Sequence, residues 1–215
     1  MRRFIFFTKT DWDEPPRLRH QLASLLISYG NEIVYFEKPN ILILQRKKSS
    51  NACKNITFYK TTQLLHHKLR ITKIFRFINK IFEINQINKN LKNKIIRDED
   101  IVVNFNYDYY FLRDLFPVNK IITIINDEFV CRALFGYEKP LKDVLSLTCK
   151  ISDVVLAISL PLVDQLSTFC QPHLFLPWAE HRYKKPSNNV KRTRLLFWGY
   201  INNRLNFEYI LKLLK

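Results

Sequence analysis

Three polar clusters in this chain have residue types and spacing suited to chemistry. Arg17, Arg19 and His20 follow the segment Asp11-Trp12-Asp13-Glu14-Pro15-Pro16. Two guanidiniums and an imidazole so close together suit a phosphate group, which accepts paired hydrogen bonds from arginine. They read equally well as the solvated face of a helix. Asn126-Asp127-Glu128 place two carboxylates directly after an apolar run. Asp127 there either takes a proton from a substrate hydroxyl or, with Glu128, simply solvates a loop. Ser159 precedes Leu160-Pro161-Leu162, the position of a helix cap, and no glycine-flanked elbow marks it as a nucleophile.

Asp11 and Asp13 either turn the chain and favour the N-terminus of the next helix, or contact a ligand. Their Asp-x-Asp spacing is the one arrangement here compatible with a metal. His66-His67 has no acidic or cysteine partner at metal spacing. Cys53, Cys131, Cys149 and Cys170 form no Cys-x-x-Cys pair and read as small core fillers in a reducing compartment.

These residues need a scaffold, and alternating apolar runs and helical patterns supply one. Strands are expected at residues 3–8, 32–36, 41–45, 55–59, 101–105, 120–125, 154–158 and 173–176. Helices are expected at 15–29, with Leu18, Leu22, Leu25 and Leu26 inward and Gly30 as the stop. Further helices are expected at 109–115, 139–150 and 161–169, the last admitting proline in its first turn. Residues 63–97 read as one long or broken helical region. Strand runs such as Ile-Val-Val-Asn-Phe are apolar throughout, so the fold class is α/β: a mainly parallel sheet with helices on both faces. Such sheets bind ligands at the carboxyl ends of their strands.

Residues 183–192 read as a polar, basic linker. Residues 194–200 then read as a strand entering a turn at Gly199. An amphipathic helix follows, carrying Leu205, Tyr209, Ile210, Leu213 and Leu214. One strand–turn–helix unit cannot bury its own apolar face. The expectation is that the remainder of its domain is missing or that the unit packs back on the preceding chain.

Thirty-five Lys and Arg against nineteen Asp and Glu give 215 residues a net charge of +16, which calls for an anionic partner. Apolar content of 47% excludes a disordered chain, and three glycines leave little scope for glycine-rich phosphate loops. No run reaches the roughly 20 apolar residues of a membrane span. The N-terminal Met-Arg-Arg-Phe-Ile-Phe-Phe opens like a signal peptide but has too short an apolar stretch. Basic residues cluster at 66–97, where Lys73, Arg76 and Lys80 alternate with Ile74, Phe75, Ile78, Ile81 and Phe82. A basic amphipathic helix of this kind suits an anionic membrane surface, or packs on a sheet with a solvated basic face. Nucleic acid ranks behind both, since no RNP-like, helix-turn-helix or zinc-finger signature is present.

Taken in order, several segments resemble bacterial GT-B glycosyltransferases of surface-polysaccharide assembly. The segment Asp11-Trp12-Asp13…Pro16-Arg17…His20-Gln21-Leu22-Ala23, then Gly30 to Pro39, is similar to their opening. Ile151-Ser152-Asp153 through Ser159-Leu160-Pro161-Leu162 is similar to their Ala-Asp, hydrophobic run, Ser-x-x-Leu segment. Leu176-Pro177-Trp178-Ala179-Glu180 stands where many members have a proline-led turn. Phe197-Trp198-Gly199-Tyr200…Arg204 is similar to the start of their second domain.

The resemblance implies two Rossmann-like domains facing across a cleft: residues 1–182 binding the acceptor, and 193–215 the incomplete start of a donor-binding domain. It implies acceptor contacts from Asp11, Trp12, Arg17, Arg19, His20, Asn126, Glu128 and Ser159. Asp127 would deprotonate the acceptor hydroxyl, and Gly199 and Arg204 would belong to the donor side. The partners implied are a nucleotide-sugar donor, a lipid-linked or growing glycan acceptor, and a separate donor-domain subunit if the chain is split. Localisation would be cytoplasmic, peripheral on the inner face of the cell membrane. No cofactor or metal ion is implied. The chain departs from the family in lacking the glycine-rich loop after the first strand, in Trp178-Ala179-Glu180 where Asn-Gly is frequent, and in lacking the paired glutamates of the donor domain. A membrane-associated accessory protein without catalysis, or an inactive relic, is the alternative.

Overall fold

The computed structural model describes residues 2–41, 54–64, 73–91, 96–130, 138–178, 208 and 211–212. Seven parallel strands form its main sheet: β1 (Arg3–Phe7), β2 (Glu32–Phe36), β4 (Ile56–Tyr59), β6 (Ile101–Asn104), β7 (Lys120–Ile125), β8 (Val154–Ala157) and β9 (Pro172–Leu174). Two short parallel strands, β3 (Asn40–Ile41) and β5 (Thr62–Gln63), form a separate ribbon. The helices are α1 (Leu18–Ser28), α2 (Lys73–Leu91), α3 (Leu112–Leu115), α4 (Glu138–Lys150) and α5 (Leu160–Leu166).

The sheet runs β4-β2-β1-β6-β7-β8-β9. Counting only its own strands in chain order, the third, second and first precede the fourth to seventh. This is the Rossmann-like, doubly wound α/β topology, in which strand order reverses between the first and fourth strands. Here that switch point lies between β1 and β6, paired in register from Phe4 with Ile101 to Phe7 with Asn104.

The strands are apolar throughout because both sheet faces are covered. Ile5, Phe7, Val34, Phe36, Val102 and Ile121 face Ile87 and Leu91 of α2 and the α3 region. Phe6, Ile33, Tyr35, Val103 and Ile124 face Ala23 of α1 on the other side. A third cluster joins Ile125, Val155 and Ala157 to Leu145, Cys149, Leu162 and Leu166. Burial pushes the thiols of Cys149 and Cys170 above their ordinary range, and both are free.

Several elements differ from expectation. Helix α1 begins at Leu18 rather than 15, with Arg17 as an extended N-cap whose N–H donates to the His20 ring. It also turns Arg19, His20 and Ala23 inward and leaves Leu25 40% exposed. Gln63 belongs to strand β5, not to a helix beginning there. Gly30 has φ +77° and ends α1 as expected, with its N–H donating to the Ile27 carbonyl at 2.8 Å.

Helix α2 inverts the usual pattern over its first half. Asn79 and Glu83 are buried, while Ile74, Phe75, Phe77, Ile78 and Ile81 are exposed. Polar groups face inward because the ribbon needs partners: Gln86 Nε2 donates to the Thr62 carbonyl at 2.6 Å, and Thr62 N–H donates back to Oε1 at 2.8 Å. The Leu64 N–H donates to Asn79 Oδ1 at 3.1 Å. Among the described residues no helix is long and apolar enough to cross a membrane.

The chain divides into two compact units, Met1–Pro177 and Trp178–Lys215. Everything above belongs to the first. The described residues of the second are Trp178, Glu208, Leu211 and Lys212, the last three helical. The expected linker at 183–192, the expected strand at 194–200, Gly199, Arg204 and His66-His67 lie outside the described residues.

Candidate functional site at the strand carboxyl ends

The first loop at the carboxyl edge is fixed by burial and ion pairing. Thr8 follows β1, and its backbone N–H donates to the Phe36 carbonyl at 3.0 Å. Lys60, one residue past β4, holds Asp11 Oδ1 at 2.7 Å and Glu37 Oε2 at 3.8 Å. Their side chains are 6%, 10% and 0% exposed respectively, so the three strand ends are joined by a buried ionic triad. The Trp12 N–H donates to Glu37 Oε1 at 3.0 Å. Its ring packs on Tyr35, His20 and Phe58 at centroid distances of 5.3, 5.1 and 5.4 Å.

His20 pins the same loop to α1. Its Nδ1 accepts the Arg17 N–H at 3.0 Å, which leaves Nε2 to donate to the Asp11 carbonyl at 3.3 Å. Both ring nitrogens are engaged in the neutral tautomer, and burial pushes the His20 pKa below 6.5. Asp11, Trp12 and His20 therefore shape the loop, while Asp13 is exposed. Among the described residues no group of three or more His, Cys, Asp or Glu is placed to hold a metal.

Across the switch point, Asn104 at the end of β6 is fully buried and orders the turn after it. Its Oδ1 accepts the Asn106 N–H at 2.9 Å, and its Nδ2 donates to the Asn106 carbonyl at 2.8 Å. Tyr107 stacks on Phe129 at 4.5 Å. Lys9 Nζ lies 2.5 Å from Asp108 Oδ1 and 5.1 Å from the Tyr107 ring centroid.

These loops enclose a cavity of about 360 Å³. Lys9, Thr10, Arg17 and Arg19 line it from the β1 side. Phe105, Asn106 and Tyr107 come from the β6 end, and Asn126, Asp127 and Phe129 from the β7 end. A second cavity, of about 320 Å³, lies between the β7 and β8 ends and is lined by Asn126, Asp127, Glu128, Ser159 and Leu162 among others. Asn126 and Asp127 border both.

Arg19 is 8% exposed, and its guanidinium stands 5.8 Å from the Phe105 ring centroid. Burial pulls its pKa below the ordinary range of a guanidinium. Arg17 lies nearer solvent, 3.2 Å from Glu14. Glu128 is tied down, its Oε1 accepting from the Val130 N–H at 3.0 Å and from Gln165 Nε2 at 2.9 Å. The Glu128 N–H donates to Asp127 Oδ1 at 2.9 Å. Ser159 occupies the N-cap of α5, but its hydroxyl makes no capping hydrogen bond.

Of the residues singled out from sequence, Arg17, Arg19, Asn126 and Asp127 converge on one cavity, while Glu128 and Ser159 border the other. Lys9, Thr10 and Asn106 were missed. The signal was available, because each lies within three residues of a strand's end, but the β6 end was not read for chemistry.

Fold and site together define a doubly wound parallel α/β domain with a polar cavity where the strand order reverses. The sequence matches no protein-family model and no curated protein.

Proposed function

We propose that this domain is the acceptor-binding part of a GT-B glycosyltransferase of bacterial surface-polysaccharide assembly, working on the cytoplasmic side of an anionic membrane. The observation that carries the reading is the cavity in which Arg17 and Arg19 meet Asp127 across the switch point. The cations would hold an anionic acceptor such as a lipid-linked sugar phosphate. The Asp127 carboxylate would take the proton of the acceptor hydroxyl as it displaces the nucleoside diphosphate from the donor sugar.

Helix α2 supports the location. Ile74, Phe77, Ile78 and Ile81 stand at i, i+3, i+4 and i+7 and are 72%, 60%, 44% and 46% exposed. Lys73 is exposed beside them, and Arg76 is half-buried. An apolar face set among cations fits an anionic bilayer surface. Lys80 instead pairs with the exposed Asp114 at 2.6 Å.

The test is turnover of a nucleotide-sugar panel with polyprenyl-phosphate-linked acceptors, in the presence of any separate donor subunit. Asp127→Asn is expected to slow transfer about 100-fold or more without loss of stability. Full activity in that variant, or no donor consumed with any acceptor, would sink the reading. For the membrane, Phe77→Ser with Ile78→Ser should abolish flotation with anionic vesicles; unchanged flotation would refute the α2 surface.

A further inference from the structure

Three buried side-chain atoms of residues lining the switch-point cavity have no hydrogen-bond partner among the described residues: Thr10 Oγ1, Arg19 Nε and Asn106 Nδ2. Their residues are 1%, 8% and 2% exposed. Folding leaves such groups unpaired only at a cost, because each has been stripped of water without replacement. The loss is gravest for a guanidinium, which cannot shed its charge.

Among the described residues no ion pair joins Arg19 to a carboxylate, although Asp127 lines the same cavity. Glu14 pairs with Arg17, Asp108 with Lys9, and Asp11 with Lys60. The Arg19 guanidinium lies 5.8 Å from the Phe105 ring centroid.

The chemistry of the three groups names what is missing. The arginine and the asparagine NH₂ are donors only, and the threonine hydroxyl donates as readily as it accepts. Their common partner is a group with several acceptor oxygens and negative charge. A phosphoryl group meets this, since its oxygens diverge toward separate donors and it takes arginine's fork geometry. Lys9 and Arg17, each held in an ion pair, and Asp127 line the same cavity, whose volume of about 360 Å³ leaves room for the remainder of the molecule.

We propose that Thr10, Arg19 and Asn106 form a binding site for a phosphoryl oxyanion, as free phosphate or as the phosphate ester of a lipid alcohol. The site stands on these unpartnered groups and is independent of whether sugar transfer occurs beside it.

The test is thermal unfolding of the full chain against two probes, inorganic phosphate and an isoprenyl monophosphate, at ionic strength held constant with KCl. Saturable stabilisation of the wild type is expected with at least one probe. Arg19→Met should weaken it about tenfold or more, while leaving the ligand-free melting temperature equal or higher, because it removes a buried unpaired charge. Thr10→Val, nearly isosteric, should weaken it less and serves as the readout if Arg19→Met does not fold. Saturation by isoprenyl phosphate alone would assign the lipid ester, and comparable saturation by both would assign the oxyanion itself. No saturable shift with either probe overturns the proposal, as does an unchanged shift in the variants. Absence of the transfer reaction with phosphate binding intact would remove only the glycosyltransferase function.

Discussion

The two edges of the sheet handle buried charge in opposite ways. At the amino edge, Arg3 precedes the body of β1 and pairs with Asp100, which leads into β6; their side chains are 6% and 0% exposed. Asp100 Oδ2, which also takes Arg3 Nη2, accepts the Arg97 N–H at 2.8 Å, and Asn119 Nδ2 donates to the carbonyls of Arg97 and Asp100 at 2.7 and 3.1 Å. Arg113 donates to Ile151 and Asn119 carbonyls and to Asp153, whose other contact is the Ile121 N–H at 2.7 Å. At the carboxyl edge, Arg19 is about as deeply buried as Arg3 but makes no ion pair among the described residues, where Thr10 Oγ1, Arg19 Nε and Asn106 Nδ2 have no hydrogen-bond partner. One edge is closed by its own side chains and serves stability. The other pairs Lys60 with Asp11 and Glu37 but leaves three cavity-side atoms unpaired among the described residues.

The comparison is broken most directly at Asp100. Asp100→Ala strands a buried guanidinium and should cost about 3–5 kcal/mol in urea unfolding; a neutral result would erase the distinction between Arg3 and Arg19. Lys60→Met should lose about 3 kcal/mol by leaving Asp11 and Glu37 as buried, adjacent carboxylates. If stability holds, the ionic triad does not fix the carboxyl-edge loops.

His20 gives the smallest effect and sharpens the contrast. Its folded pKa lies below the unfolded 6.5, so the folded state resists protonation. Stability is therefore full above pH 6.5 and declines as pH falls from there through the folded value. His20→Leu should cost about 1–2 kcal/mol near neutral pH, by freeing the Arg17 N–H and the Asp11 carbonyl. It should also flatten that acid-side decline, and denaturation midpoints between pH 5 and 8 would show an undiminished slope if His20 were not its source.

Much of the scaffold was legible in the sequence. Strands β2 and β7 fall where the apolar runs place them, because a strand buried on both faces needs apolar residues at every position. The helix stop at Gly30 was readable because few other residues tolerate its φ. Less legible was the facing of α1 and α2. Leucine spacing alone put Leu25 inward, yet Ala23 is the residue that lets α1 approach the sheet, and the rotation that buries Ala23 also buries Arg19. In α2 the ribbon's need for hydrogen bonds overrode apolar periodicity and turned Asn79 and Gln86 toward it.

The sequence by itself determined the alternation of strands and helices, the cationic excess, and the grouping of Arg17 and Arg19 after the first strand. These follow from local propensity and composition. Tertiary structure alone decided which strands are neighbours, and so which strand ends share a cavity. Asn106 lies 87 positions from Arg19 in the chain, and only the β1–β6 pairing brings them to one site. It also decided that Arg3 has a carboxylate partner and that Arg19 makes no ion pair among the described residues. Burial and pairing belong to the assembled sheet, because whether a charge is compensated depends on what the fold carries to it from far along the chain.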